Sequence, residues 1–163
     1  MGTSAIIQVN VGGKHLMAMY VPMDGYLDGV GKTILPILKR KHVNGYTDDQ
    51  TQYNRVGNFC ALVIATLINQ QTEISKRVAK YSNKPEPVEL ACGGVEVIDD
   101  VEKHNSDYFY SIDFTDSLIN PQAPKINVSS YGKVRNSLSV VDFENFISEG
   151  FEEDGEDDEE HQQ

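Results

Sequence analysis

The apolar residues of this 163-residue chain change their spacing several times, and the order of those changes restricts the fold more than any single motif does. A period of two, typical of strands, marks residues 4–11 and 14–20, and the Gly12-Gly13 pair between them predicts a β-hairpin. Helical spacing follows over residues 33–38 and again, on nearly all sides, over residues 57–71. The first half of the chain therefore predicts two strands and then two helices.

The second half returns to strand patterns and ends on a helix. Strands are predicted over residues 94–98, 108–114 and 125–131, and a helix begins at Ser139 or Asp142. The order is ββααβββα, with no internal repeat and no regular strand–helix alternation. We therefore predict an α+β fold with a mostly antiparallel sheet, two central helices and a C-terminal helix.

Negative charge is concentrated at the C-terminus. The formal net charge is −11, and residues 149–163 contain nine acidic residues without a Lys or Arg, which leaves −2 for residues 1–148. We predict a single α+β domain over 1–148 and a disordered acidic tail over 149–163, because dense like charge opposes ordering. The tail is interpreted as a solubilising appendage, as a steering device toward a basic partner, as a competitor for a basic groove, or as an imitation of a nucleic-acid backbone.

Several classes of protein are excluded by composition. The chain has neither an apolar run of membrane-spanning length nor a secretory signal pattern, so we expect a soluble intracellular protein without a membrane partner. Cys60 and Cys92 stand far apart and lack neighbours at ligand spacing, which argues against a zinc knuckle or a disulfide scaffold. We expect no metal and no cofactor.

The glycine-rich segment 24–32 is the candidate binding loop. Its end, Gly29-Val30-Gly31-Lys32-Thr33, is similar to the end of a phosphate-binding P-loop between a strand and a helix. The spacing fails, because the motif needs glycine where Tyr26 stands and Gly25 comes one residue too early. Asp28 also adds negative charge within the loop, so nucleoside triphosphate hydrolysis is not predicted.

A weaker anion-binding hypothesis survives for the same loop. Backbone N–H groups at a helix N-terminus attract phosphate or carboxylate groups, although glycines also simply permit tight turns. We assign no catalytic residue. The candidate ligand-binding residues are Asp24, Tyr26, Asp28, Gly29, Gly31 and Lys32.

The run Lys39-Arg40-Lys41-His42 is the only basic cluster in the body of the chain. Positive charge suits the C-terminal end of the helix that we predict before it, with Thr33 as the N-cap. A phosphate-facing role is the alternative interpretation of this run.

A resemblance to a known family is carried by these segments: Met1-Gly2-Thr3, Gly13-Lys14, Tyr20, Asp24-Gly25-Tyr26, Gly29, Gly31, Asn44-Gly45 and residues 57–61. They resemble a family of small proteins common in tailed-phage genomes, for which no activity is established. The resemblance is best over residues 1–68 and extends more loosely to residues 108–114 and 142–147. It implies a phage accessory product in the cytoplasm of the host cell. The chain departs from the family pattern at Val21-Pro22-Met23, where it lacks an Arg or Trp, and in its acidic tail.

Three functional hypotheses follow. The first is a non-enzymatic binding module for a host or viral protein, or for an anionic small ligand at the glycine-rich loop, that modulates a host process. The second is a small enzyme acting on a phosphorylated or nucleotide-like ligand, with Lys32 holding the anion and Asp24 or Asp28 as acid or base. The third is a single-strand nucleic-acid binder with a self-competing tail, which the nearly neutral body disfavours.

Overall fold

In the part of the chain that the structure describes, a six-stranded sheet carries three α-helices on one of its faces. The computed structural model describes residues 2–86, 92–115 and 121–151. The sheet contains β1 (Ala5–Val11), β2 (Lys14–Val21), β5 (Glu96–Ile98), β6 (Tyr108–Phe114), β7 (Lys125–Ser130) and β8 (Lys133–Leu138). Two further strands, β3 (Lys41–His42) and β4 (Gln52–Tyr53), pair with each other in parallel.

The sheet is mostly antiparallel, as the order of sequence patterns predicts. Its strand order is β5-β2-β1-β6-β7-β8, and β1 and β6 form the parallel pair, with Ile7 opposite Tyr110. All other neighbouring pairs in this sheet are antiparallel. The predicted α+β class is confirmed.

The helices are α1 (Lys32–Leu38), α2 (Val56–Tyr81) and α3 (Val140–Glu149). Helix α3 begins as predicted, because the Ser139 hydroxyl accepts a hydrogen bond from the Asp142 N–H at 3.1 Å. The predicted Thr33 cap of α1 is wrong. A π-helical turn, Leu27–Gly31, runs directly into α1, and the Thr33 hydroxyl instead donates to the Gly29 carbonyl at 2.8 Å.

The core lies between the sheet and the helices. The face of β6 that carries Tyr108, Tyr110, Ile112 and Phe114 is turned toward it. Phe114 meets Phe59 of α2 edge to face, with ring centroids 5.1 Å apart. Tyr110 meets Phe143 of α3 in the same way. The buried side chains that complete this layer are Ile7, Val9, Met19, Ile34, Val63, Leu67, Ile112, Ile126, Val128 and Phe146.

The opposite face of the sheet is mixed. A small apolar cluster of Ile6, Ala18 and Ile98 covers one part of it. The other part carries a polar network in which the Asp113 carboxylate accepts hydrogen bonds from Asn10 and Ser111, at 2.8 and 3.0 Å. Period-two alternation therefore separates an apolar face from a largely polar one, as expected for a sheet with helices on one side only.

The C-terminal boundary lies slightly later than predicted. Glu149 is the last residue of α3, and the Phe151 ring packs against Phe146 with centroids 4.9 Å apart. These residues of the predicted tail therefore belong to the folded part. Residues 152–163, for which disorder is predicted, lie outside the described residues.

Candidate functional site

The glycine-rich loop is closed by its own hydrogen bonds. The N–H groups of Gly29 and Gly31 donate to the Tyr26 carbonyl at 2.9 and 3.5 Å, and the Val30 N–H donates to the Asp24 carbonyl at 2.8 Å. The Lys32 N–H donates to the Gly29 and Leu27 carbonyls. The amides that would cradle an anion are therefore already directed at carbonyls of the chain.

Two glycines of this loop are required by close approach. A Cβ at Gly25 would lie 2.5 Å from the Ser4 carbonyl, and a Cβ at Gly29 would lie 2.0 Å from the Asp24 carbonyl oxygen. The Gly25 carbonyl in turn accepts a buried hydrogen bond of 2.7 Å from the Tyr110 hydroxyl. The loop is thus held tightly between β1, β6 and the helix layer.

The side chains of the predicted loop site face solvent. Lys32 Nζ lies 3.7 Å from Asp28 Oδ1, and these side chains are 70% and 76% exposed. Partial burial, followed by the neighbouring Asp24 carboxylate, raises the pKa of Tyr26. The loop therefore presents a phenol and an exposed ion pair, and a ligand at this loop stays a prediction.

A second site is formed where the basic run meets distant parts of the chain. A groove of about 390 Å³ lies between the residues that follow α1, the short strands β3 and β4, and the start of α3. One wall is the run Lys39–His42, and the other is apolar, with Tyr53, Pro121, Pro124, Val140 and Val141. We call this feature the basic groove, and its volume lies within the range of small-ligand sites.

Two residues that line the basic groove each have a buried nitrogen atom without a hydrogen-bond partner in the described part of the chain. These atoms are Arg40 Nε and His42 Nε2. The other end of the guanidinium is engaged, because Arg40 Nη1 donates to the Gln52 and Asp49 carbonyls at 3.2 and 3.4 Å. An unpaired buried polar group costs about 1–3 kcal/mol, and a movement of the Arg40 side chain that let an external acceptor pair with Nε would recover that free energy.

The surroundings of these atoms are positive. Lys39 Nζ is paired with Glu144 at 2.7 Å, but within the described ranges no carboxylate lies within 4.0 Å of the charged groups of Arg40 or Lys41. Helix α3 begins at the groove with Val140 and Val141, so the positive end of its macrodipole adds to the field. The basic groove therefore combines cationic charge, an unpaired donor and an apolar wall.

The sequence identified the basic run but not its neighbours. It predicts that Lys39–His42 closes a helix, with a phosphate-facing role as the alternative. In the structure α1 ends at Leu38 and Lys39 is its C-cap, while Lys41 and His42 form β3; the phosphate-facing role stays a prediction. The ring of His42 also meets Tyr53, with centroids 5.7 Å apart. Tertiary packing brings Pro121, Pro124 and the start of α3 beside this run. These residues follow the run by about 80 positions or more, so no local sequence pattern predicts that they lie together.

Of the two cysteines, Cys60 is buried and Cys92 is exposed. Burial raises the pKa of the Cys60 thiol to about 11, so this cysteine is a neutral apolar group at physiological pH. Among the residues that the structure describes, no group of three or more His, Cys, Asp or Glu is placed to hold a metal ion. Within the same residues, no helix is both long and apolar enough to cross a membrane.

Comparison of the chain with protein-family models, with curated proteins and with solved structures gives no match.

Proposed function

We propose that this protein is a non-enzymatic binding module that holds an anionic group, a phosphate or a carboxylate, in the basic groove. The observation that carries the proposal is the buried Arg40 Nε, which has a proton to donate and no acceptor within the described chain. Because a guanidinium is charged at every physiological pH, its preferred partner is an anion.

The apolar wall suggests that the anionic group belongs to a larger ligand. Tyr53, Pro121 and Pro124 offer contact area beside the cations, and they would pack against an apolar portion next to the charge. Such a ligand is either a small amphipathic anion or an acidic side chain of a protein, and a host or viral protein is the partner expected from the sequence.

The proposal is tested by NMR titration of the full chain with inorganic phosphate, and separately with acetate, at constant ionic strength maintained with chloride. We expect the Arg40 Nε–H and His42 ring signals to shift saturably with at least one of the two anions. Signals from Gly29 and Gly31 serve as internal references, because their N–H groups already donate to Tyr26. Saturable shifts of the Gly29 and Gly31 signals, with no shift of the Arg40 signal, would show that the anion binds at the glycine-rich loop, and would contradict the proposal.

A further inference from the structure

The occupant of the basic groove that is best supported is part of the chain itself. We propose that the acidic C-terminal segment, residues 152–163, binds the basic groove of the same molecule and competes there with external anions. This inference rests on the proposed function, because it requires that the groove bind anions.

Charge complementarity is the first argument. Residues 152–163 contain eight acidic residues and no Lys or Arg, whereas the groove wall contains Lys39, Arg40 and Lys41 in succession. Arg40, one of these lining residues, also has a buried Nε that lacks an acceptor among the described residues. A carboxylate is an acceptor that pairs well with a guanidinium N–H.

Reach is the second argument. Helix α3 starts at the groove and ends at Glu149, two residues before Phe151. Its ten residues cover about 15 Å. The contact between Phe151 and Phe146 fixes the point from which the acidic segment departs. From there, an extended chain covers about 30 Å by Glu160, so the run of acids at 156–160 can return along α3 to the groove.

Tethering makes even a weak contact effective. A segment joined by a short linker acts at an effective concentration on the order of millimolar, so it occupies a site that binds single carboxylates weakly. At physiological ionic strength charges interact over about 8 Å, which limits the effect to tail residues that actually contact the groove.

The test uses the full-length chain with the tail charge removed. The variant replaces every acid after Phe151 by its amide: E152Q, E153Q, D154N, E156Q, D157N, D158N, E159Q and E160Q. The matched control keeps these acids in a shuffled order. Without added phosphate, we expect the Arg40 Nε–H signal to differ between wild type and the amide variant, while the signal of exposed Arg77 on α2 stays the same.

The same variants separate this inference from the proposed function. Inorganic phosphate should bind the amide variant on the order of two to ten times more tightly than wild type, and the difference should vanish at high salt. Equal binding to both proteins, with an unchanged Arg40 signal, would overturn only the tail inference. Absence of phosphate and acetate binding in every variant would overturn the proposed function as well. A difference that disappears on dilution would show that the tail acts between molecules, which contradicts binding within one chain.

Discussion

At the scale of single residues, Tyr110 connects the sheet to the glycine-rich loop. Its ring is fully buried beside Tyr108 and Phe143, and its hydroxyl donates to the Gly25 carbonyl. Burial raises the pKa of this phenol, so the hydroxyl stays protonated and continues to donate throughout the physiological range. The strand pattern predicts the inward direction of Tyr110, but it says nothing of a partner 85 residues earlier in the chain.

Replacing Tyr110 by Phe should therefore destabilise the fold without altering its packing. The Gly25 carbonyl would lose its buried donor, and we expect a loss of about 1–3 kcal/mol in the free energy of unfolding, measured by urea denaturation. Tyr46→Phe is the matched control, because Tyr46 is 89% exposed and should leave the free energy unchanged. Equal stability of wild type and Tyr110→Phe would show that this hydrogen bond contributes nothing net.

At the scale of secondary-structure elements, the two glycines Gly57 and Gly29 give opposite predictions. Gly57 lies in the first turn of α2, and a Cβ there would meet nothing within 4 Å. Because alanine favours helix over glycine, Gly57→Ala should raise the free energy of unfolding by about 0.5–1 kcal/mol.

Gly29→Ala should instead lower the urea midpoint sharply, since its Cβ would collide with the Asp24 carbonyl. A stable Gly29→Ala protein would contradict the described loop.

Asp107 joins three strands and gives a pH-dependent prediction. Its carboxylate accepts hydrogen bonds from the Tyr131 hydroxyl at 2.6 Å and from the Ser4 N–H at 2.8 Å. These hydrogen bonds, that of Tyr131 foremost, lower the pKa of Asp107 in the folded protein. The resulting stability is present above the ordinary carboxyl pKa of about 3.9 and is lost as the pH falls through the lower folded value.

Wild type should therefore exceed Asp107→Asn in free energy of unfolding at about pH 6, and this advantage should shrink as the pH approaches about 3. Urea denaturation at a series of pH values measures the difference. Asp48→Asn, which removes an exposed carboxylate elsewhere, is the control substitution. An advantage that stays constant or grows toward acid pH would show that these hydrogen bonds do not favour the charged carboxylate.

How well the sequence predicts a strand or helix depends on how much of it is buried. Strands β1, β2 and β6 alternate cleanly because one face is buried, and α3 has a Ser cap. The sequence pattern does not predict β8. This strand lies at the edge of the sheet, and Val134 and Leu138 are its only apolar residues. The structure shows a hairpin turn before it, in which Tyr131 and Gly132 have positive φ angles. The last turns of α2 are mostly exposed, so apolar spacing predicts this helix only as far as residue 71.

At the scale of the whole molecule, the basic groove is lined by segments that are distant from one another in the sequence. The composition of the glycine-rich loop is similar to that of an anion-binding site. In the structure, however, its backbone N–H groups donate hydrogen bonds to the carbonyls of Asp24 and Tyr26. The basic run, read first as a helix terminus, becomes a groove only when residues 121–124 and the start of α3 pack beside it. We therefore propose that anions bind at the basic groove and not at the glycine-rich loop.

The most direct test compares two single charge insertions. Val141 is 66% exposed at the mouth of the groove, and Val141→Glu adds a negative charge in the first turn of α3, where the helix macrodipole tolerates it. Val134→Glu adds the same charge at a residue that is 54% exposed on β8 and outside the groove lining. Equilibrium dialysis with labelled inorganic phosphate at constant ionic strength should show binding to wild type and Val134→Glu, and several-fold weaker binding to Val141→Glu. Equal phosphate binding by all three proteins, or none by wild type, would contradict anion binding at the basic groove.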